Sequence, residues 1–173
     1  MTYNIFGETN RLILRKMSFD DFDEIAQIMR GENVQKIWGY YFSENDINDW
    51  INKNIALYEK YNMGFFIAIE KETKNIIGQI AIKPDIINGN NIIEIGYILK
   101  EEYTKQGYAT EGAEFMTNYA FTKLNLNHVI FEIRPINTDS INVAKRLGAK
   151  LQGQFIKNVR GKDMEHYIFT LTK

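Results

Sequence analysis

Apolar residues recur along this chain with two periods, and each period predicts a different element. Residues 11–15 (Arg-Leu-Ile-Leu-Arg) alternate as a short strand does. Ser18 with Asp21 has the spacing of a capping box, and Phe22, Ile25, Ile28 and Met29 follow at helical spacing. Ser43 with Asp46 repeats that signal ahead of Ile47, Trp50, Ile51, Ile55 and Tyr58. The middle of the chain is β-rich. Strands are expected at 64–70, 76–83 and 92–99, with turns at 71–75 and 88–91, and such short connections predict an antiparallel meander. After a polar loop at 100–107 the helical period returns over 110–124. A strand at 129–133 and a short helix at 139–147 follow, the helix closed by Gly148. A final hairpin is expected from 150–159 and 164–171.

This order, βαα-βββ-α-β-α-ββ, predicts an α+β (mixed α/β) fold with one largely antiparallel sheet. The unit from 92 to 133 is the one good candidate for a parallel crossover. No linker, repeat or low-complexity tract interrupts residues 1–173, so a single domain is expected.

Composition removes whole classes of chemistry. Of 173 residues, 45% are apolar and 25% charged, which suits a soluble globular core. Lys and Arg number 21 against 22 Asp and Glu, a net charge of −1, so no nucleic-acid partner is expected. The chain has no cysteine, which excludes disulfides, iron–sulfur clusters and a Cys nucleophile. His128 and His166 are far apart in sequence, so no metal centre is expected. The first residues lack a basic segment followed by an apolar run, and no stretch approaches roughly 18 apolar residues. A cytoplasmic protein without a membrane partner is the expectation.

The informative segment runs from Glu94 to Gly112, Glu-Ile-Gly-Tyr-Ile-Leu-Lys-Glu-Glu-Tyr-Thr-Lys-Gln-Gly-Tyr-Ala-Thr-Glu-Gly. A strand enters a loop holding Gly107, and a helix opens near Thr110. Loop amides at a helix N-terminus form an anion site, and a glycine there admits a phosphate close to the backbone. Taken alone, the same pattern also describes a plain strand-to-helix turn. Neither the Walker-type phosphate loop, nor the dinucleotide fingerprint, nor a nucleophile elbow is present.

The segment resembles motif A of the GNAT superfamily of acetyl-CoA-dependent N-acetyltransferases, Q/R-x-x-G-x-G/A, which falls here on residues 104–109. Asn137-Thr-Asp-Ser140 followed by Leu147-Gly148-Ala149 resembles the family's motif B, and residues 9–15 (Thr-Asn-Arg-Leu-Ile-Leu-Arg) are similar to the opening of its ribosomal-protein-alanine branch. Thr104, Lys105 and Ala149 depart from the usual residues. Ala144 stands where many members carry a Tyr acting as general acid.

The resemblance implies a splayed sheet with about four helices on its faces, and acetyl-CoA as the acyl donor. Its pyrophosphate would rest on the amides of Lys105, Gln106, Gly107, Tyr108, Ala109 and Thr110. Its pantetheine arm would pair with the backbone of Ile98 and Leu99, with Asn137 and Ser140 on the other side. The Ile98 amide is a candidate donor to the thioester oxygen. Glu94 is either the base that deprotonates the amine or a solvated strand carboxylate. Ser140 is either the acid that protonates the leaving thiolate or a helix N-cap. Glu111 reads as a first-turn helix charge.

The implied partner is an amine acceptor, with a protein N-terminus favoured over a polyamine, an aminoglycoside or another small amine. A non-catalytic acyl-CoA-binding domain is the competing reading. The acidic run Asp20, Asp21, Asp23, Glu24 has the spacing of a solvated helix face. The rings among residues 36–42 are either core or part of an acceptor groove. A monomer or a homodimer is compatible with the resemblance.

Overall fold

The computed structural model describes residues 4–173. One eight-stranded sheet runs through it in the order β1-β2-β3-β4-β5-β6-β8-β7. Strands β1 (Ile5–Glu8), β2 (Leu12–Arg15), β3 (Gly64–Glu70), β4 (Ile76–Ile87) and β5 (Asn90–Leu99) are antiparallel neighbours. On the far side β6 (His128–Ile133), β8 (Lys162–Thr172) and β7 (Lys150–Val159) are antiparallel as well. The two halves join through one parallel contact, Glu94 against Ile130. Beyond that pair β5 and β6 diverge, which opens a splay in the sheet.

Five helices flank the sheet. They are α1 (Phe22–Met29), α2 (Glu32–Trp38), α3 (Glu44–Tyr61), α4 (Tyr108–Thr122) and α5 (Thr138–Arg146). Glycines mark which face each helix takes. A Cβ on Gly112 of α4 would meet Ile80, whereas one on Gly96 would meet Phe65 and Ala81. Ile80 and Ala81 point to opposite faces of β4, and Phe65 packs on Trp50 of α3 at 4.8 Å. So α4 covers one face and α3 the other. Pro84 follows the last β3–β4 pair, Gly64 with Ile82, and its missing N–H therefore costs no ladder bond on that side.

The meander, the crossover and the final hairpin lie where the apolar pattern places them. Two elements escaped it. Strand β1 carries Gly7 rather than a large residue, because a Cβ there would fall 2.3 Å from the Phe115 ring. Helix α2 is seven residues long, enters from Gly31 and ends at Gly39 with φ 78°, too short to show a period. The acidic run is also corrected. Asp21 is buried and accepts from both terminal nitrogens of Arg15, at 2.8 and 2.6 Å, while Glu24 accepts from Lys100 at 2.7 Å. Among the described residues, no helix is long and apolar enough to cross a membrane.

Candidate active site

Two cavities, of about 560 and 450 Å³, open at the splay. The first lies against α4 and α5, and the second on the sheet face covered by α3. Both are lined by Ile37, Trp38, Tyr97, Ile98, Asn137 and Ser140, which is where they meet.

The loop from β5 to α4 forms one wall of the first cavity. Lys105 and Gly107 hold positive φ, 60° and 85°. Such alternation turns successive amides to one side as a concave anion cradle. The Glu111 N–H closes the first helical turn on the Gly107 carbonyl at 3.0 Å. The N–H groups of Tyr108, Ala109 and Thr110 then have no acceptor within the helix. Lys36, Lys105 and Arg146 line this cavity against a single acid, Asp139, and Arg146 donates to the Thr110 hydroxyl at 2.9 Å. Backbone donors with surplus cations fit a pyrophosphate.

The loop is braced from behind. Glu111 accepts from the Thr9 hydroxyl (2.5 Å), the Arg11 N–H (2.7 Å) and Arg11 Nε (2.6 Å). Arg11 Nη1 donates to the Gln106 carbonyl at 3.1 Å, and its guanidinium lies 4.2 Å over the Tyr108 ring. The Tyr108 hydroxyl donates to Glu70, and the Gln106 amide to the Glu102 carbonyl. The side chains of Gln106 and Tyr108 therefore point away from the cavity, and only their backbone groups can serve it. Glu111 is a clamp as well as a first-turn charge.

Register decides which β5 groups face the splay. The Lys100 N–H donates to the Ile77 carbonyl at 2.9 Å, and β4–β5 pairing keeps one register from Gly78/Leu99 to Ile87/Asn90. Ladder bonds alternate in antiparallel pairs. The backbone groups of Ile98, Gly96 and Glu94 thus face β4, and those of Tyr97 and Leu99 face the splay. The expected Ile98 amide is accordingly corrected to its neighbours, although Ile98 itself lines both cavities.

Across the splay, Asn137 Oδ1 accepts from the Ser140 N–H at 3.2 Å and caps α5. The N-cap is therefore Asn137. Ser140 sits one turn in, its hydroxyl in no hydrogen bond among the described residues. The Tyr97 hydroxyl spans the gap and donates to the Ser140 carbonyl at 3.0 Å. Burial raises the Tyr97 phenol above its ordinary pKa, so it stays neutral.

The second cavity is floored by an ionic cluster from four strands, β4, β5, β6 and β7. Asp85, Glu94 and Glu132 bring carboxylate oxygens within 4.8 Å of one another. Lys83 pairs with Asp85 at 2.6 Å and also with Glu94, while Lys157 pairs with Glu132 at 2.8 Å and Asp85 at 3.5 Å. Burial pushes the Glu94 carboxyl up to about 7; Lys83 works against that shift, while Glu132 and Asp85 add to it. Burial disfavours the Lys83 charge, but Glu94 and Asp85 outweigh it and the ammonium persists. Trp38 packs edge-on to Tyr40, Phe42 and Trp50 along the wall. Phe42 is core, Trp38 lines both cavities, and Tyr41 is exposed, so the aromatic segment divides between the two roles expected of it.

The acetyltransferase (GNAT) domain family matches residues 11–150. The chain belongs to this family. It is an acetyl-CoA-dependent N-acetyltransferase. It is 31% identical over 150 residues to the uncharacterized N-acetyltransferase YnaD of Bacillus subtilis (strain 168), covering 86% of this chain and 85% of that one. It is 22% identical over 145 residues to the spermidine N(1)-acetyltransferase of Escherichia coli (strain K12), covering 83% and 75%. In fold it is similar to a putative ribosomal-protein-serine acetyltransferase from Vibrio cholerae, with a TM-score of 0.83, 24% identity and all of both chains covered.

Within the acetyltransferase, Leu99, Lys105, Gly107, Ala109, Thr110, Asn137 and Ser140 line the first cavity with Ile98, while Glu94 lines the second. Sequence reasoning missed Arg146, Tyr97 and the Lys83, Asp85, Glu132 and Lys157 partners of Glu94. Of these, Arg146 carried a local signal, a cation in the last turn of the motif B helix.

Proposed function

We propose that this acetyltransferase modifies the α-amine at the N-terminus of a protein or peptide, by direct attack in a ternary complex. When bound, acetyl-CoA supplies the acetyl group as a thioester. The amides of residues 105–110 receive its pyrophosphate, with Lys105 and Arg146 balancing the charge. The backbone of Leu99 and Tyr97 pairs with the pantetheine arm as an added strand, and Asn137 and Ser140 flank the arm. The Tyr97 N–H is the candidate donor to the thioester oxygen, in place of Ile98.

Glu94 carries the assignment of acceptor. An α-amine has a pKa of about 8, against about 10.4 for a lysine. About one α-amine in ten is free at pH 7, but fewer than about one lysine in a thousand. A carboxylate set near 7 can take the remaining proton from an α-amine with little mismatch. Glu94 takes the ammonium proton, and the freed nitrogen forms the C–N bond as the C–S bond breaks. The Ser140 hydroxyl, at the meeting of the cavities, relays the second proton lost by that nitrogen to the departing thiolate, so that the serine is restored.

The test is thiol release from acetyl-CoA with peptides starting in Ala, Ser or Met, spermidine, an aminoglycoside and free amino acids, with products identified by mass. Peptide acetylated at the α-amine is the expected result. Turnover of small amines alone overturns the peptide assignment and leaves the enzyme class standing.

A further inference from the structure

The second cavity has a polarity that selects among acceptors. Its carboxylates, Asp85, Glu94 and Glu132, lie together on the floor, and each already pairs with Lys83 or Lys157. Three further cations line the cavity, and no carboxylate lining it pairs with them. Lys53 is exposed on α3 and forms no salt bridge among the described residues. Arg160 lies 3.7 Å over the Tyr40 ring, and its one salt bridge among the described residues is to Asp46, which also accepts the Ser43 N–H at the start of α3. Arg134 spends Nη1 on the Ile37 carbonyl at 2.6 Å, while its Nε is buried with no hydrogen-bond partner among the described residues.

We propose that the acceptor is an amine bearing an anionic group, such as a peptide with Asp or Glu in its first few positions, held by Arg134, Arg160 and Lys53. This rests on the N-acetyltransferase reading and narrows its acceptor. The lining counts five basic residues, Lys53, Lys83, Arg134, Lys157 and Arg160, against three acids, and with Asp46 set against Arg160 the basic groups still exceed the acids by one. When Glu94 is protonated the excess grows by one. A polyamine would carry its unreacted ammonium groups past like charges, and such contacts cost several kcal/mol in desolvated sites. An anion instead completes the guanidinium donors of Arg134 and Arg160 with charge-assisted bonds. Floor and mouth then divide the work: the carboxylates face the ammonium to be deprotonated, and the cations orient what is attached to it.

The experiment compares matched acceptors on the whole protein. Peptides Ser-Asp-Glu-Ala-amide, Ser-Asn-Gln-Ala-amide and Ser-Lys-Lys-Ala-amide differ only in charge, and aminoethyl phosphate against diaminobutane repeats the contrast in small amines. In each set kcat/KM is expected to be at least about tenfold higher for the anionic member than for the cationic one. The difference should shrink in high salt. Lys53→Glu should lessen the preference, and Lys150→Glu, a charge reversal outside both cavities, should leave it intact. Equal or cation-favouring rates in both sets overturn the proposal while leaving the acetyltransferase reading in place. Preference for the anion in the small amines with no peptide turnover sustains it and removes only the peptide assignment. If no amine is turned over, calorimetry with the acidic and basic peptides on the CoA-saturated protein decides in its place: tighter binding of the acidic peptide sustains the proposal, and equal or weaker binding overturns it.

Discussion

Arg11 Nε lies 2.6 Å from a carboxylate oxygen of Glu111, which joins the residue just before β2 to the first turn of α4 across a hundred residues of sequence. The same guanidinium reaches the Gln106 carbonyl and covers the Tyr108 ring. Arg11 does not line the first cavity. It braces the loop of residues 105–110, the proposed phosphate cradle, from the other side, as a positioning residue. Arg11→Ala should raise KM for acetyl-CoA about ten- to a hundredfold, as expected for lost hydrogen bonds to a charged group. KM for the acceptor should stay near its original value, because the second cavity shares no residue with this brace. A parallel rise in both constants would point to general unfolding instead.

In the proposed mechanism Glu94 gives the activity its pH dependence. The group acts as a base only when ionised, and burial sets its pKa near 7. Activity should therefore rise as pH increases through about 7. Glu94→Gln should lower kcat by about 10²–10⁴-fold and abolish that limb of the profile. The stability effect runs the other way. A carboxyl whose folded pKa is raised from 4.5 favours folding below that value, and this contribution is lost as pH rises toward 7. Chemical denaturation across this window should show Glu94→Gln losing less stability with rising pH than the parent.

The buried pair of Arg15 and Asp21 predicts a different acid response. Burial raises the Asp21 pKa, but Arg15 and Ser18 outweigh it and the net shift is downward. Its contribution is therefore present above the ordinary carboxylate value and fades as pH falls. Asp21→Asn removes the charge opposite a buried guanidinium and also weakens the Ser18 cap, which donates to the same carboxylate at 2.8 Å. The loss should be about 3–5 kcal/mol at neutral pH, by urea titration. It should narrow in acid.

What was legible in the sequence was local. The Gly107 loop, the two Ser-to-Asp caps and the alternating strands each carry their signal within a few residues, and the resemblance found the Gly107 loop and Asn137 from such signals. The Glu94–Lys83 pair depends on which residue of β4 stands opposite which residue of β5, and no local pattern reports that register. The orientation of the Ile98 amide failed for the same reason. Asp21 looked solvated because its helix places acids together, whereas its partner comes from β2. Lys53, Arg134 and Arg160 come from α3, the residue after β6 and the turn after β7, and only the folded chain brings them to one cavity.

Gly112 sets helix propensity against packing. In a helix interior, Gly→Ala stabilises by about 0.8–1 kcal/mol on propensity alone. At this position the new methyl would lie 2.8 Å from two carbons of Ile80 and 3.1 Å from a third. Ile80 is fully buried and cannot swing aside. Overpacking of this kind costs about 1–3 kcal/mol, so the net effect of Gly112→Ala should be a loss of up to about 2 kcal/mol, read as a lower denaturation midpoint. Because α4 carries the proposed phosphate cradle, any shift of the helix away from β4 should also raise KM for acetyl-CoA. Ile80→Val removes one methyl from the side chain in conflict. The double variant should recover part of both losses, whereas two independent defects would simply add.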